Sequence, residues 1–290
     1  SIMLSMVAIA TGGFMPFEGA LDESVNEAGR LVIALGLFFG TVNIFWRRSV
    51  IRNPRAFFKQ NIELKYILVG LFFLTIVYGT MFTRLAGGQA TLQSLLSHLS
   101  EGFFSAVSLV ATSGLETRPG AFAVLPDVLV LMIVLIGASI YSTTGGLKIY
   151  RIYMMGRHAI RELNKLIHPR SVKNLRFGDV VIDEQKMSAI WSHFILSLIV
   201  VGIGALMISM FGYDFEAAST LAIALFSNAA PVYEALIPPL AAVATEQVAW
   251  PELKDGSSAS HILFSFLMLI GRLEVIIVFA VFNIRYWIAR

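Results

Sequence analysis

Apolar stretches of two lengths, recurring in a fixed order, constrain this chain more than any other feature. The long ones, Leu31–Trp46, Tyr66–Phe82, Val124–Ala138, Ala189–Phe211 and Ile262–Trp287, read as membrane crossings. Three others, Ser1–Ala10, Leu99–Val110 and Phe215–Phe226, are too short to span a hydrocarbon core about 30 Å thick. Each short stretch closes in a turn of small or polar residues: Ala10–Phe14 reads A-T-G-G-F, Ala111–Leu115 reads A-T-S-G-L, and Ser227–Pro231 reads S-N-A-A-P. The order long, short, turn, long occupies 66–155 and again 189–287, and its second half stands alone at 1–46. Such a period marks an internal repeat, and repeats of this kind enclose a site between them.

Composition sets the solvent. Of 290 residues, 57% are hydrophobic and only 14% charged, against about a quarter charged in a soluble domain. The chain therefore reads as an integral membrane protein. Its net charge of +3 does not mark a nucleic-acid binder, because the charge alternates by segment. Six basic residues lie between Arg47 and Lys65 against Glu63 alone, and nine lie between Lys148 and Lys186 against four acids. The other connecting segments are acidic, as at Glu18–Glu27 and Asp214–Asp255. That is the positive-inside pattern, and it puts all three short stretches on the way in from outside. Cysteine is absent, which excludes disulfides and thiolate metal sites, and the five histidines contain no zinc-enzyme spacing. No signal peptide is evident at Ser1, and a further upstream part is expected.

The segment Val124–Ala138 is followed by Ser139–Arg151, S-I-Y-S-T-T-G-G-L-K-I-Y-R, which places hydroxyls, two glycines, a lysine and an arginine near membrane depth. Non-helical backbone survives there only where protein or a water-filled cavity satisfies its amides and carbonyls. One reading is an intramembrane loop lining a path. The other is a spanning helix that ends at Gly145 and passes Lys148 into the cytoplasm as a charged flank.

A helix that enters from outside and stops midway points its carbonyl end, the negative end of its dipole, at the membrane interior. Backbone oxygens beyond it can replace the hydration shell of a cation without a formal charge to trap it. The residues assigned to that role are Thr11, Gly12 and Gly13, then Thr112, Ser113 and Gly114, then Asn228, Ala229 and Ala230. Taken singly, each turn is equally a common helix stop. Arg272 and Glu274 interrupt the last apolar stretch and read either as a structural pair or, for Arg272, as a cation facing the conduit.

These strings, Ala10–Phe14, Ala111–Leu115, Ser142–Lys148 with Arg151, Asn228 with Pro231, and Gly271–Glu274, together resemble the TrkH/KtrB/HKT superfamily of potassium and sodium transporters. The resemblance implies an all-α membrane fold of helix, pore-helix, helix units around a pseudo-fourfold pore. It assigns 1–60 to the second half of the second repeat, 61–187 to the third and 188–290 to the fourth, with the first repeat missing. It makes the three turns a selectivity filter for potassium or sodium. It makes Ser139, Ser142, Thr143, Thr144, Gly145 and Gly146 a gating loop, with Lys148 beside it and Arg272 facing the pore. It further implies a homodimer in the cytoplasmic membrane of a bacterium, no organic cofactor, and a cytosolic nucleotide-binding RCK ring of the TrkA or KtrA type. That ring would dock on the basic surfaces around Arg47–Lys59 and Arg157–Lys173. Ala229 and Ala230 depart from the family's glycine, and a Cβ there is expected to tilt the carbonyls or narrow the ring. The rival readings are a discontinuous-helix secondary transporter and a membrane enzyme or scaffold, and the sequence offers the enzyme little chemistry.

Overall fold

A computed structural model describes residues 2–14, 21–43, 61–85, 87, 91–168, 175–177, 180–237 and 250–273. The helices are α1 Ile2–Ala10, α2 Leu21–Ser24, α3 Glu27–Thr41, α4 Ile62–Leu85, α5 Leu92–Val110, α6 Asp127–Ile136, α7 Ile149–Ile167, α8 Glu184–Ser209, α9 Phe215–Phe226, α10 Ala230–Ala235 and α11 Ser258–Leu273. The fold is helical, as expected. The apolar pattern does not anticipate one antiparallel hairpin, β1 Leu175–Phe177 with β2 Val180–Ile182, which pairs Leu175 with Ile182 and Phe177 with Val180. Trp46, Glu274, Trp287, the whole basic surface Arg47–Lys59 and the end of the other, 169–173, lie outside the described residues.

Two helices, α4 and α8, are long and apolar enough to cross a membrane by length and composition. Each turns one apolar face outward. On α4 this is Leu68, Val69, Phe72, Phe73, Ile76 and Val77, and on α8 it is Ile195, Leu198, Ile199, Ile203 and Leu206, all exposed. A band of that size has no reason to face water, and lipid is the solvent that suits it.

The short helices pack inside these. α1 lies on α3, α5 on α4 and α3, and α9 touches α6, α8, α10 and α11. Close backbone approach makes the α4–α5 crossing: a Cβ on Gly102 would lie 2.9 Å from the amide nitrogen of Gly79 and from the carbonyl oxygen of Thr75. Without a hydrophobic drive between helices in lipid, small residues that let backbones meet are what hold them. α9 is buried on nearly every side, through Ala217, Ala218, Leu221, Ala222, Ala224, Leu225 and Phe226.

Several boundaries differ from those expected of the sequence: α3 ends at Thr41, inside the stretch Leu31–Trp46, and α6 covers only ten residues of the expected crossing Val124–Ala138, too few to span a bilayer alone. α5 begins at Leu92 and has 19 residues, so it is longer than the apolar stretch Leu99–Val110 that the sequence offers as too short to span. Ser94, Ser97 and Ser100 donate their hydroxyls to carbonyls three residues back, at 2.7, 2.9 and 2.8 Å, which lets a polar segment continue the helix. The break after α6 runs from Gly137 to Lys148, longer than Ser139–Gly146, and the chain then resumes as α7.

Candidate functional site

The three short helices end in the same hydrogen-bonded cap. Thr11, Thr112 and Asn228 stand just past α1, α5 and α9 with left-handed φ values of 51°, 52° and 56°. The amide of each donates to the carbonyl three residues back, Thr11 to Ala8 at 3.2 Å, Thr112 to Leu109 at 3.0 Å and Asn228 to Leu225 at 3.0 Å. The next amide donates five residues back, Gly12 to Val7 at 3.2 Å, Ser113 to Ser108 at 2.9 Å and Ala229 to Ala224 at 2.8 Å. This pair of bonds is the Schellman arrangement. It spends two amides on inner carbonyls and leaves the last carbonyls of the helix directed past its end. The cap is a common way for a helix to end, and what sets these three apart is that the turns beyond them touch.

The turns meet one another. A Cβ on Gly13 would collide with the carbonyl oxygen of Ser113 and sit 3.0 Å from Cγ of Pro231, so the first turn lies against the second and the third. A Cβ on Gly114 would sit 2.8 Å from the amide nitrogen of Val232. Gly13 and Gly114 also carry φ of 74° and 73°, which only glycine adopts cheaply. Gly12 differs: a Cβ there would meet no atom within 4 Å.

Beyond its cap the third turn departs from expectation. Ala229 has φ of −120° and Ala230 already opens α10, with Pro231 in its first turn. Neither alanine takes a left-handed backbone, so their Cβ atoms add no strain of that kind. Ala230 is a helical residue, which leaves Ala229 as the single residue between the cap and α10.

Residues 137–148 lie against all three turns. Thr11 Oγ1 is 3.0 Å from the carbonyl oxygen of Thr143, and Thr143 Oγ1 is 3.0 Å from that of Ile9 and 3.1 Å from that of Gly40. The amide of Gly145 donates to Thr112 Oγ1 at 2.9 Å. Gly145 packs so closely on the carbonyl of Ser227 that a side chain there would collide with it. The segment is irregular but satisfied: Leu147, Lys148 and Ile149 donate to Leu135, Ile136 and Ala138 at 2.8, 2.7 and 3.0 Å. Of the two readings of this stretch, the loop fits the backbone.

Lys148 is buried, and its ammonium donates to the carbonyl of Thr144, to Thr144 Oγ1 at 3.1 Å and to Ser142 Oγ at 3.5 Å. The Arg151 guanidinium donates to the Leu147 carbonyl at 3.1 Å. On the far side of the loop a cavity of about 180 Å³ is lined by Tyr141, Ser142, Thr144, Gly146 and Lys148, by His193 of α8, and by Phe226, Gly271 and Arg272. Gly271 passes against the carbonyl of Phe226 closely enough to exclude a side chain, and the next residue, Arg272, is exposed at the edge of the cavity.

Ser139 is where sequence reasoning falls short. Its hydroxyl and the amide of Ile140 both donate to Oε2 of Glu63, the latter at 3.1 Å. In the sequence Glu63 is only the single acid of a basic link, yet its residue is 4% exposed. A lone acid just before an apolar run carries no signal of a partner 76 positions away.

Comparison with known proteins gives a consistent result. The family of TrkH cation transport proteins matches residues 67–230. The Trk system potassium uptake protein TrkH of Escherichia coli K12 is 26% identical over 298 residues, taking in 98% of this chain and 56% of that protein. The potassium uptake protein TrkG of the same strain is 24% identical over 283 residues, with 96% and 54% covered. The crystal structure of the potassium transporter TrkH from Vibrio parahaemolyticus shares the fold with a TM-score of 0.80 at 22% identity, over 97% of this chain and 57% of that one. These relatives are transport proteins rather than enzymes. The chain spans a little over half the length of the curated relatives it matches.

Proposed function

We propose, from the premise that this chain belongs to the TrkH family of cation transport proteins and is a membrane protein, that it forms part of a potassium uptake pore. The observation that carries this reading is the set of three matching caps, at Thr11, Thr112 and Asn228, in contact with one another and with one loop. Thr11–Gly13, Thr112–Gly114 and Asn228–Ala229 act as the selectivity filter. Their carbonyl oxygens replace the water around a monovalent cation, and the aligned helix ends above them add partial negative charge. Potassium is cargo here, and its entry is favoured over sodium.

Ser139, Ser142, Thr143, Thr144, Gly145 and Gly146 form the gate. Lys148 holds the loop in shape, and with Arg272 it sets a positive potential just inside the filter that opposes cations at rest. Residues 1–60, 61–187 and 188–290 correspond to the second, third and fourth of four repeats around one axis. The complete protein works as a homodimer in the cytoplasmic membrane of a bacterium. A cytosolic nucleotide-binding ring docks on its basic inner surface.

The complete protein should restore growth at low potassium to cells stripped of their own uptake systems, and no rescue despite correct membrane expression would reject potassium import. Replacing Arg272 with alanine should raise cation flux through it. An unchanged rate would remove Arg272 from the gate.

A further inference from the structure

The cytoplasmic ends of α3 and α4 both grip the intramembrane loop. From α3, the carbonyl of Gly40 accepts from the amide of Thr143 at 3.2 Å, and that of Thr41 accepts from the amide of Ser139 at 3.3 Å. From α4, Glu63 accepts from Ser139 and from the amide of Ile140. Thus Ser139 is held on its backbone by one helix and on its side chain by the other. These two helix ends are the points where the basic stretch Arg47–Lys59 departs and returns in sequence.

We infer that Glu63 is a positioning residue for transport: its buried carboxylate pins the start of the loop to α4, so that the loop stays against the three turns until α4 moves. Three observations carry this. A carboxylate with its residue 4% exposed is costly unless its lone pairs are used, and the partners found for it are both on the loop. Those partners are the hydroxyl and the next amide in one short stretch, a geometry that fixes direction as well as distance. The loop cation Lys148, itself buried and bonded to Thr144, lies within electrostatic reach of the same side chain. The three contacts that reach the turns, at Thr143, Gly145 and Thr11, follow within six residues of the pin or answer to it. Releasing the Ser139 hydroxyl and the Ile140 amide from Glu63 therefore leaves the start of the loop held, among the described residues, by α3 alone.

This inference rests on the gate reading above, and its test separates the two. The complete protein is reconstituted in liposomes without any cytosolic partner. A nitroxide is placed at Tyr141→Cys, an exposed loop position beside Ile140, in a chain with no other cysteine among its 290 residues. Potassium flux is read in parallel. Glu63→Ala should mobilise the label and raise basal flux by roughly tenfold or more, the order expected when charge-assisted hydrogen bonds are lost. Glu63→Gln keeps an acceptor oxygen and should fall between. Ser139→Ala should loosen the label as well, and Glu63→Ala with Ser139→Ala together should do little more than either alone. An immobile label in Glu63→Ala and Glu63→Gln overturns the pin. A label that is mobilised while flux stays at the parent rate upholds the pin and overturns the gate. If Glu63→Ala does not assemble, Glu63→Gln and Ser139→Ala decide by the same two readouts.

Discussion

The turns at Thr11 and Thr112 and the turn at Asn228 begin alike and finish differently. All three caps use a left-handed residue with a hydrogen-bonding side chain. In the first two, a second left-handed residue, Gly13 or Gly114, carries the chain onward, and the threonine side chain bonds to the loop. In the third, Ala229 leads directly into α10, and Asn228 Nδ2 donates instead to the carbonyl of Met268 on α11 at 3.0 Å. The lesson is that stopping the helix and shaping the backbone beyond it are separate tasks. The cap needs one residue at positive φ; asparagine takes it readily, whereas threonine, being β-branched, takes it under strain and is held there by its bond to the loop. Glycine is required only where the chain stays left-handed or presses on a neighbouring turn.

The sharpest way to break this comparison is to exchange the two behaviours. Gly13→Ala should be the most damaging substitution, because it adds strain at φ of 74° and a collision with Ser113. A loss on the order of 4 kcal/mol is expected from such combined strain and overpacking, seen as poor recovery of folded protein on size-exclusion chromatography. Normal recovery would mean that the first and second turns do not touch as described.

Thr112→Val comes next. It leaves the buried amide of Gly145 without its acceptor, at a cost of about 1–3 kcal/mol, whereas Asn228→Val should leave Gly145 untouched. Thermal unfolding in detergent combined with amide exchange at Gly145 checks both. Equal protection of Gly145 in the two variants would erase the distinction between the turns.

A smaller effect concerns the stretch after each turn. After the second, Glu116 accepts from the amides of Phe122 at 2.8 Å and Gly120 at 3.2 Å, which orders the outer stretch that α10 replaces after the third. Burial pushes this carboxyl up to about 7, with the backbone amides pulling the other way. A raised carboxyl holds its proton in the folded state where the unfolded chain has released it. Stability therefore falls as pH rises from the ordinary value of 4.5 toward 7 and levels above that. Glu116→Gln should flatten that slope in melts between pH 5 and 8, and an identical slope would detach it from Glu116. The smallest effect belongs to Ala230→Gly, which should cost no more than about 1 kcal/mol because the position is helical.

Much of this arrangement is legible in the sequence, and the illegible part has physical causes. The short helices, their turns and the broken segment follow from apolar length and the places where small residues cluster. The apolar run Phe215–Phe226 gives α9 its observed limits, because run and helix coincide there. The run Leu99–Val110 does not do so for α5, because serines that bond back to their own helix look like a loop. The structure also buries Trp250, whose ring stacks on that of Tyr233 with centroids 5.5 Å apart, a contact that no local pattern announces. Glu63 escapes a sequence reading because its partners Ser139 and Ile140 lie on another element, and pairing across the fold leaves no local pattern.

Gly12 offers the most direct test of the central claim, since among the described residues a Cβ there would touch nothing within 4 Å. Potassium and sodium flux should be compared in liposomes for the complete protein and for Gly12→Ala, at matched stability. If the turns hold the cation, the parent passes potassium in preference to sodium, and the added methyl changes that ratio while the melting temperature stays within a few degrees. A variant that folds equally well and keeps both rates unaltered would mean that the cation does not pass between these turns.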